Sequence, residues 1–140
     1  MYVEFEDDLL TGDPMIDSQH KEIFEKINAL LETCELGQGK LAAIRTLDYL
    51  ADYTEFHFKA EEQLQEEIGY PDIEDHKRRH NELRQVVADL HTMLEEEDGP
   101  SDAFVEQVQK NVVEWLLYHI KGSDRSVAEY KNLRGNVNLL

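Results

Sequence analysis

Apolar residues recur along this chain in steps of three and four, and the pattern is interrupted at a few points by glycine and proline. One seam runs Ile16, His20, Ile23, Ile27, Leu30, Cys34, and a second runs Ala43, Leu47, Leu50, Thr54, His57, Glu61, Leu64, Ile68. A third runs Ile73, His76, His80, Leu83, Val87, Leu90, Leu94, and a fourth Val105, Val108, Val112, Trp115, His119. Such spacing lines up one buried stripe on each of four amphipathic helices. The predicted helices cover roughly 18–36, 40–68, 72–96 and 101–129. Glu35–Lys40, Gly69-Tyr70-Pro71 and Asp98-Gly99-Pro100 separate them. Asp17, Asp72 and Ser101 are the expected N-caps of the first, third and fourth helices, and Gly69 the expected stop of the second. Connections this short favour antiparallel neighbours. The expected fold is all-α, an up-down-up-down antiparallel four-helix bundle with an N-terminal arm over residues 1–16 and a short tail over 131–140. No internal repeat or low-complexity linker divides the chain, so residues 1–140 are expected to form a single domain.

Polar residues interrupt these seams. His20, His57, His76, His80 and His119, five of the six histidines, sit on stripes that should be buried, as does Glu61. A buried carboxylate or unpaired imidazole is costly, so each needs a partner. Any one of them alone reads as a hydrogen-bonded core histidine. Topology brings them together. His20 is early in helix one, His57 and Glu61 late in helix two, His76 and His80 early in helix three, and His119 late in helix four. In an up-down-up-down bundle those positions share one end, and at about 1.5 Å of rise per residue they fall within about 15 Å of it. That convergence points to a metal site. His91 falls toward the opposite end and reads as a boundary residue. Cys34 reads as a small buried apolar group.

Asp124 does not fit the regular pattern. It follows His119 by five residues, about 140° round an ideal helix, on a neighbouring stripe with Leu117, Ile120 and Val127. Spacing alone leaves two readings open: a solvated aspartate, or an inward one that needs a π-bulge or loosened turn near Gly122.

Composition narrows the function. A hydrophobic content of 41% over 140 residues suits a globular domain. A formal charge of −17 repels DNA, RNA and anionic membranes, so no nucleic-acid or membrane partner is expected. With one cysteine, an intrachain disulfide is excluded and a zinc–thiolate site disfavoured. The opening MYVEFEDDLL has no basic segment before an apolar run, and no stretch has the length of a membrane span, so the expected location is cytoplasmic.

Five imidazoles and two carboxylates exceed the needs of one ion. Two octahedral ions present twelve positions. Five imidazoles, two bridging carboxylates and one shared oxo or hydroxo group fill all but one of them. The single vacancy suits one small ligand, and imidazole with carboxylate and no thiolate suits iron, with manganese, zinc and copper left open by ligand type alone.

The motifs IDSQHK around His20, HFKAEE with His57 and Glu61, DHKRRH with His76 and His80, and HIKGSD with His119 and Asp124 together resemble the hemerythrins, in particular the bacterial hemerythrin-like proteins, over roughly residues 5–130. The resemblance implies two non-heme iron ions, oxo- or hydroxo-bridged, with Glu61 and Asp124 shared between them. It assigns His76, His80 and His119 to one iron, and His20 and His57 to the other, which keeps the open position for dioxygen. Two departures stand out. The family often has a tryptophan in the arm, where Phe5 is the nearest candidate, and a methionine four residues after the bridging glutamate, where this chain has Gln65. Neither position is expected to touch a ligand.

Reversible dioxygen binding for transport, storage or delivery is therefore the leading expectation. Sensing of oxygen, redox state or nitric oxide through the same site is the alternative, although a sensor usually carries an output domain and none is expected here. A di-iron oxidase or peroxidase ranks lower, because carboxylate-rich enzyme sites use glutamates with Glu-x-x-His pairs. A closed four-coordinate zinc site ranks last.

Overall fold

The computed structural model describes residues 3–139, with side chains described as far as residue 134. Residues 1–2 of the predicted arm and residue 140 of the predicted tail lie outside the described residues. Among the described residues there is no strand, and four long helices form an all-α bundle. Helix α1 spans Pro14–Glu35, α2 Lys40–Ile68 and α3 Ile73–Glu96. The fourth, α4, is one continuous helical rod over residues 102–139. It is regular at Asp102–Gln107, Glu114–His119 and Arg125–Leu139, and π-helical at Val108–Val113 and Ile120–Asp124.

Local chemistry sets the helix ends. The first helix begins at Pro14, earlier than its apolar pattern suggests, because Asp13 and not Asp17 is the N-cap: its carboxylate accepts from the Ile16 N–H at 3.0 Å. Proline at the first helical position suits this start, since its missing N–H would have had no helical partner. Asp17 is instead buried one turn in, where it accepts from the Thr11 N–H and hydroxyl, both at 2.8 Å, and from the Gly12 N–H at 3.2 Å. It fastens the arm to α1. Ser101 caps α4 by accepting from Phe104 N–H at 3.1 Å. Asp72 occupies the cap position of α3 but makes no side-chain cap bond. Gly69 ends α2 in the left-handed region at φ 67°, where its N–H and that of Tyr70 take up the last carbonyls, Glu66 and Gln65.

The core runs through the middle of the bundle. Ile23, Ile27 and Leu30 of α1 meet Leu47 and Leu50 of α2, Leu83, Leu90 and Leu94 of α3, and Phe104, Val108, Val112 and Leu116 of α4. On α4 the buried line is thus Phe104, Val108, Val112 and Leu116, while Val105 and Trp115 of the predicted seam are only partly buried. Phe5 packs edge-on against Phe24 at 5.5 Å and closes the arm over the core. The Lys131 ammonium pairs with Asp13 at 2.6 Å and joins the start of α1 to the far end of α4. The predicted tail beyond residue 130 is therefore helical as far as Leu139.

Candidate metal centre

The end of the bundle where α1 and α3 begin and where α2 and α4 run late holds a fully buried polar cluster. His20 comes from α1, His57 and Glu61 from α2, His76 and His80 from α3, and His119 and Asp124 from α4. Regular helical geometry explains two of these pairs: His57 with Glu61, and His76 with His80, are four residues apart and share a face. His119 and Asp124 need the π-helical turn Ile120–Asp124 between them. A π turn closes over five residues, so it stacks residues five apart, and the Asp124 Oδ1 lies 3.0 Å from His119 Nε2. The Ser126 hydroxyl donates to the Gly122 carbonyl in that turn at 2.9 Å.

Both carboxylates divide their oxygens between two groups of imidazoles. Glu61 Oε1 contacts His76 Nε2 and lies 3.7 Å from His80 Nε2, while Glu61 Oε2 lies 3.0 Å from His57 Nε2. Asp124 Oδ1 lies 3.0 Å from both His76 Nε2 and His119 Nε2, while Asp124 Oδ2 lies 2.8 Å from His20 Nε2. Two overlapping sets of donors result, each with its atoms within 4.8 Å of one another: Glu61, His76, His80, His119 and Asp124, and His20, His57, Glu61 and Asp124.

The cluster's own hydrogen bonding is incomplete. His20 Nε2, Glu61 Oε2, His80 Nε2 and Asp124 Oδ1 are buried without a well-formed hydrogen bond among the described residues. The Nε2 atoms of His76 and His119 face each other at 3.1 Å, and one proton at most fits between them. Buried lone pairs that converge and lack donors fit a metal site, since a cation satisfies several of them at once.

Charge in the metal-free cluster follows from this packing. Burial opposes the His76 imidazolium, yet the adjacent Asp124 and Glu61 carboxylates outweigh it and raise the His76 pKa to about 9. His80 is governed by burial, opposed by the Glu61 carboxylate and reinforced by the like charges of His76 and His119, and falls to about 3. Burial pushes both carboxylates up, and at Glu61 the charge of Asp124 adds to it. The imidazoles of His57 and His76 nevertheless hold Glu61 below its ordinary value, and the charge of His119 with the imidazoles of His20 and His76 holds Asp124 well below.

The family model described as hemerythrin HHE cation binding domain matches residues 11–130. The chain belongs to the hemerythrin family. A bacteriohemerythrin of Stenotrophomonas maltophilia is 34% identical over 125 residues, which span 89% of this chain and 78% of the relative. The bacteriohemerythrin of Methylococcus capsulatus is 36% identical over 110 residues, 78% of this chain and 80% of that one. A crystal structure of a hemerythrin point mutant superposes with a TM-score of 0.78 at 30% identity, covering 91% of this chain and 95% of the other.

Around the hemerythrin-type cluster lies a layer of which the helical pattern had singled out only Trp115. His57 Nδ1 meets the Gln19 side-chain oxygen at 2.7 Å, and His80 Nδ1 meets Glu62 at 2.7 Å. Such partners fix ring orientation and leave Nε2 facing the centre. The Phe58 ring stacks on His80 at 3.8 Å, and Trp115 stacks on His119 at 4.5 Å. One expectation fails here. Gln65 does touch the cluster: it is buried, and its Nε2 donates to Glu61 Oε1 at 3.3 Å. The α2 stripe continues past Glu61 at Gln65, with Leu64 only partly buried, so the signal was an amide one helical turn beyond a buried carboxylate. Phe5 makes its ring contact with Phe24. His91 stays apart from both donor sets and pairs with Asp48 at 3.3 Å and Glu95 at 3.0 Å.

Proposed function

We propose that this chain binds dioxygen reversibly at a non-heme di-iron site, for oxygen transport, storage or delivery. In this reading His76, His80 and His119 hold one iron, His20 and His57 the other, and Glu61 and Asp124 serve both. The observation that carries it is the division of each carboxylate, one oxygen toward two of the three histidines His76, His80 and His119 and the other toward His57 or His20. Unequal numbers of imidazoles leave the two-histidine side with room for one small ligand. An iron pair, when bound, supplies the electrons needed to hold dioxygen.

The chain's own residues do the rest. Apolar side chains one turn inward from the ligands, Ile23, Leu83 and Leu116, are buried and keep water from the inner side of the cluster. Gln19 and Glu62 orient His57 and His80. A carrier rather than an enzyme is the reading supported by the bacteriohemerythrin names of the relatives. No described helix is long and apolar enough to cross a membrane. The one cysteine, Cys34, is free and suits a reducing compartment, and the proposal places the chain, as a single domain, in the cytoplasm.

The test is metal analysis followed by anaerobic reduction and exposure to air. Two irons per chain, with an optical change in air that reverses when oxygen is removed, is the expected result. One tightly held zinc ion without iron overturns the metal assignment. Full iron loading with immediate irreversible oxidation overturns the carrier.

A further inference from the structure

Gln65 is fully buried, and it is not one of the seven residues proposed as ligands. It lies one helical turn beyond Glu61 on α2 and donates from Nε2 to Glu61 Oε1 at 3.3 Å. The amide must present its NH2 group to this neighbour, because a carboxylate only accepts. The other half of the amide, Oε1, is buried without a hydrogen-bond partner among the described residues. An apolar side chain fills such a position without an unmet carbonyl, so the amide is an uneconomical choice for packing alone.

Its contact is also one-sided. Glu61 Oε1, which Gln65 touches, is the oxygen turned toward His76 and His80, whereas Oε2 is turned toward His57. We propose that Gln65 is a positioning residue that makes the two ends of the Glu61 carboxylate unequal, weakening its donation to the ion on the three-histidine side. This rests on the iron pair proposed above. A hydrogen bond to a metal-bound carboxylate draws electron density from that oxygen and holds its orientation. A ferric ion depends more on anionic donors than a ferrous ion does. The amide therefore favours the ferrous state on the three-histidine side and slows loss of the reduced, oxygen-binding form.

The experiment compares the full chain with Gln65→Met and Gln65→Leu, loaded with 57Fe without air. Methionine keeps the length and removes the donor, and leucine serves as the second variant if methionine packs badly. The expected result is two irons in every protein, a lower midpoint potential in both variants, and oxidation in air about tenfold faster, the scale of losing one weak hydrogen bond to a charged group. Mössbauer spectra should show one of the two iron signals moved and the other unchanged. Fully loaded variants with unchanged potential, rate and spectra overturn the role of Gln65 and leave the dioxygen reading intact. A variant that folds but holds fewer than two irons makes Gln65 a structural requirement and overturns it too. A wild-type chain that takes up no iron pair overturns the function and this inference together.

Discussion

His76 stands between two carboxylates and His80 stands among imidazoles, and the two rings respond in opposite ways to the same burial. In the metal-free chain this gives a pH profile with a definite sign. The folded His76 pKa of about 9 lies above the ordinary imidazole value of 6.5, so its contribution is complete below 6.5 and fades as pH rises through about 9. The folded His80 pKa of about 3 lies below 6.5, so stability is lost as pH falls from 6.5 toward 3, and the depressed carboxylates of Glu61 and Asp124 add to that acid loss. The melting temperature of the metal-free chain should peak near pH 6.5, as thermal scans across pH would show. A curve that keeps rising through pH 9 would contradict the His76 assignment. Single substitutions separate ligand from bystander: His57→Ala should lower iron content and abolish the reversible optical change, while His91→Ala, at the other end of the bundle, should leave both intact. Equal loss in the two would contradict the placement.

The helices carry information of their own. The π turn Ile120–Asp124 is what aims Asp124 inward, and Gly122 is not there for space, because a Cβ at that position meets nothing within 4 Å. Its φ is not positive, so alanine fits the backbone as well. Gly122→Ala should leave iron content unchanged and raise stability by roughly 0.5–1 kcal/mol, the usual gain over glycine in a helix. Denaturant unfolding measures it, and a large loss would show that the turn needs a glycine. The caps make a second contrast. Ser101→Ala removes a bond to the Phe104 N–H and should cost about 1 kcal/mol, whereas Asp72→Ala, with no cap bond to lose, should cost clearly less.

Across the whole molecule, an apolar core in the middle of the bundle adjoins a polar cluster at one end. The cluster holds two carboxylates and five imidazoles with several lone pairs unmet, so it weakens the fold until a cation occupies it. Metal that binds the folded chain and not the unfolded one must raise the melting temperature. Iron removal by a chelator should therefore lower it by several degrees, and an apo-protein that melts no earlier than the loaded one would contradict the metal reading.

Hydrophobic periodicity was enough to read four helices, their antiparallel order and the five histidines on buried faces, because each depends on spacing within one regular helix and on short connections. The α2 pair His57 and Glu61 and the α3 pair His76 and His80 were legible for that reason. Other features depended on how helices meet. The start of α1 at Asp13 is set by a cap bond and by Lys131 from the far end of α4. A regular helix leaves Asp124 outside the histidine stripe, and its inward turn depends on the π segment Ile120–Asp124, only one of the two readings that spacing alone left open. Gln65 stood out in the sequence only as a departure from the family's methionine and was not expected to touch a ligand, and only the packing around α2 made it a buried donor to Glu61. Helical pattern is a one-dimensional property of side-chain order, whereas burial of a given polar atom and the partner it finds depend on elements far apart in the chain.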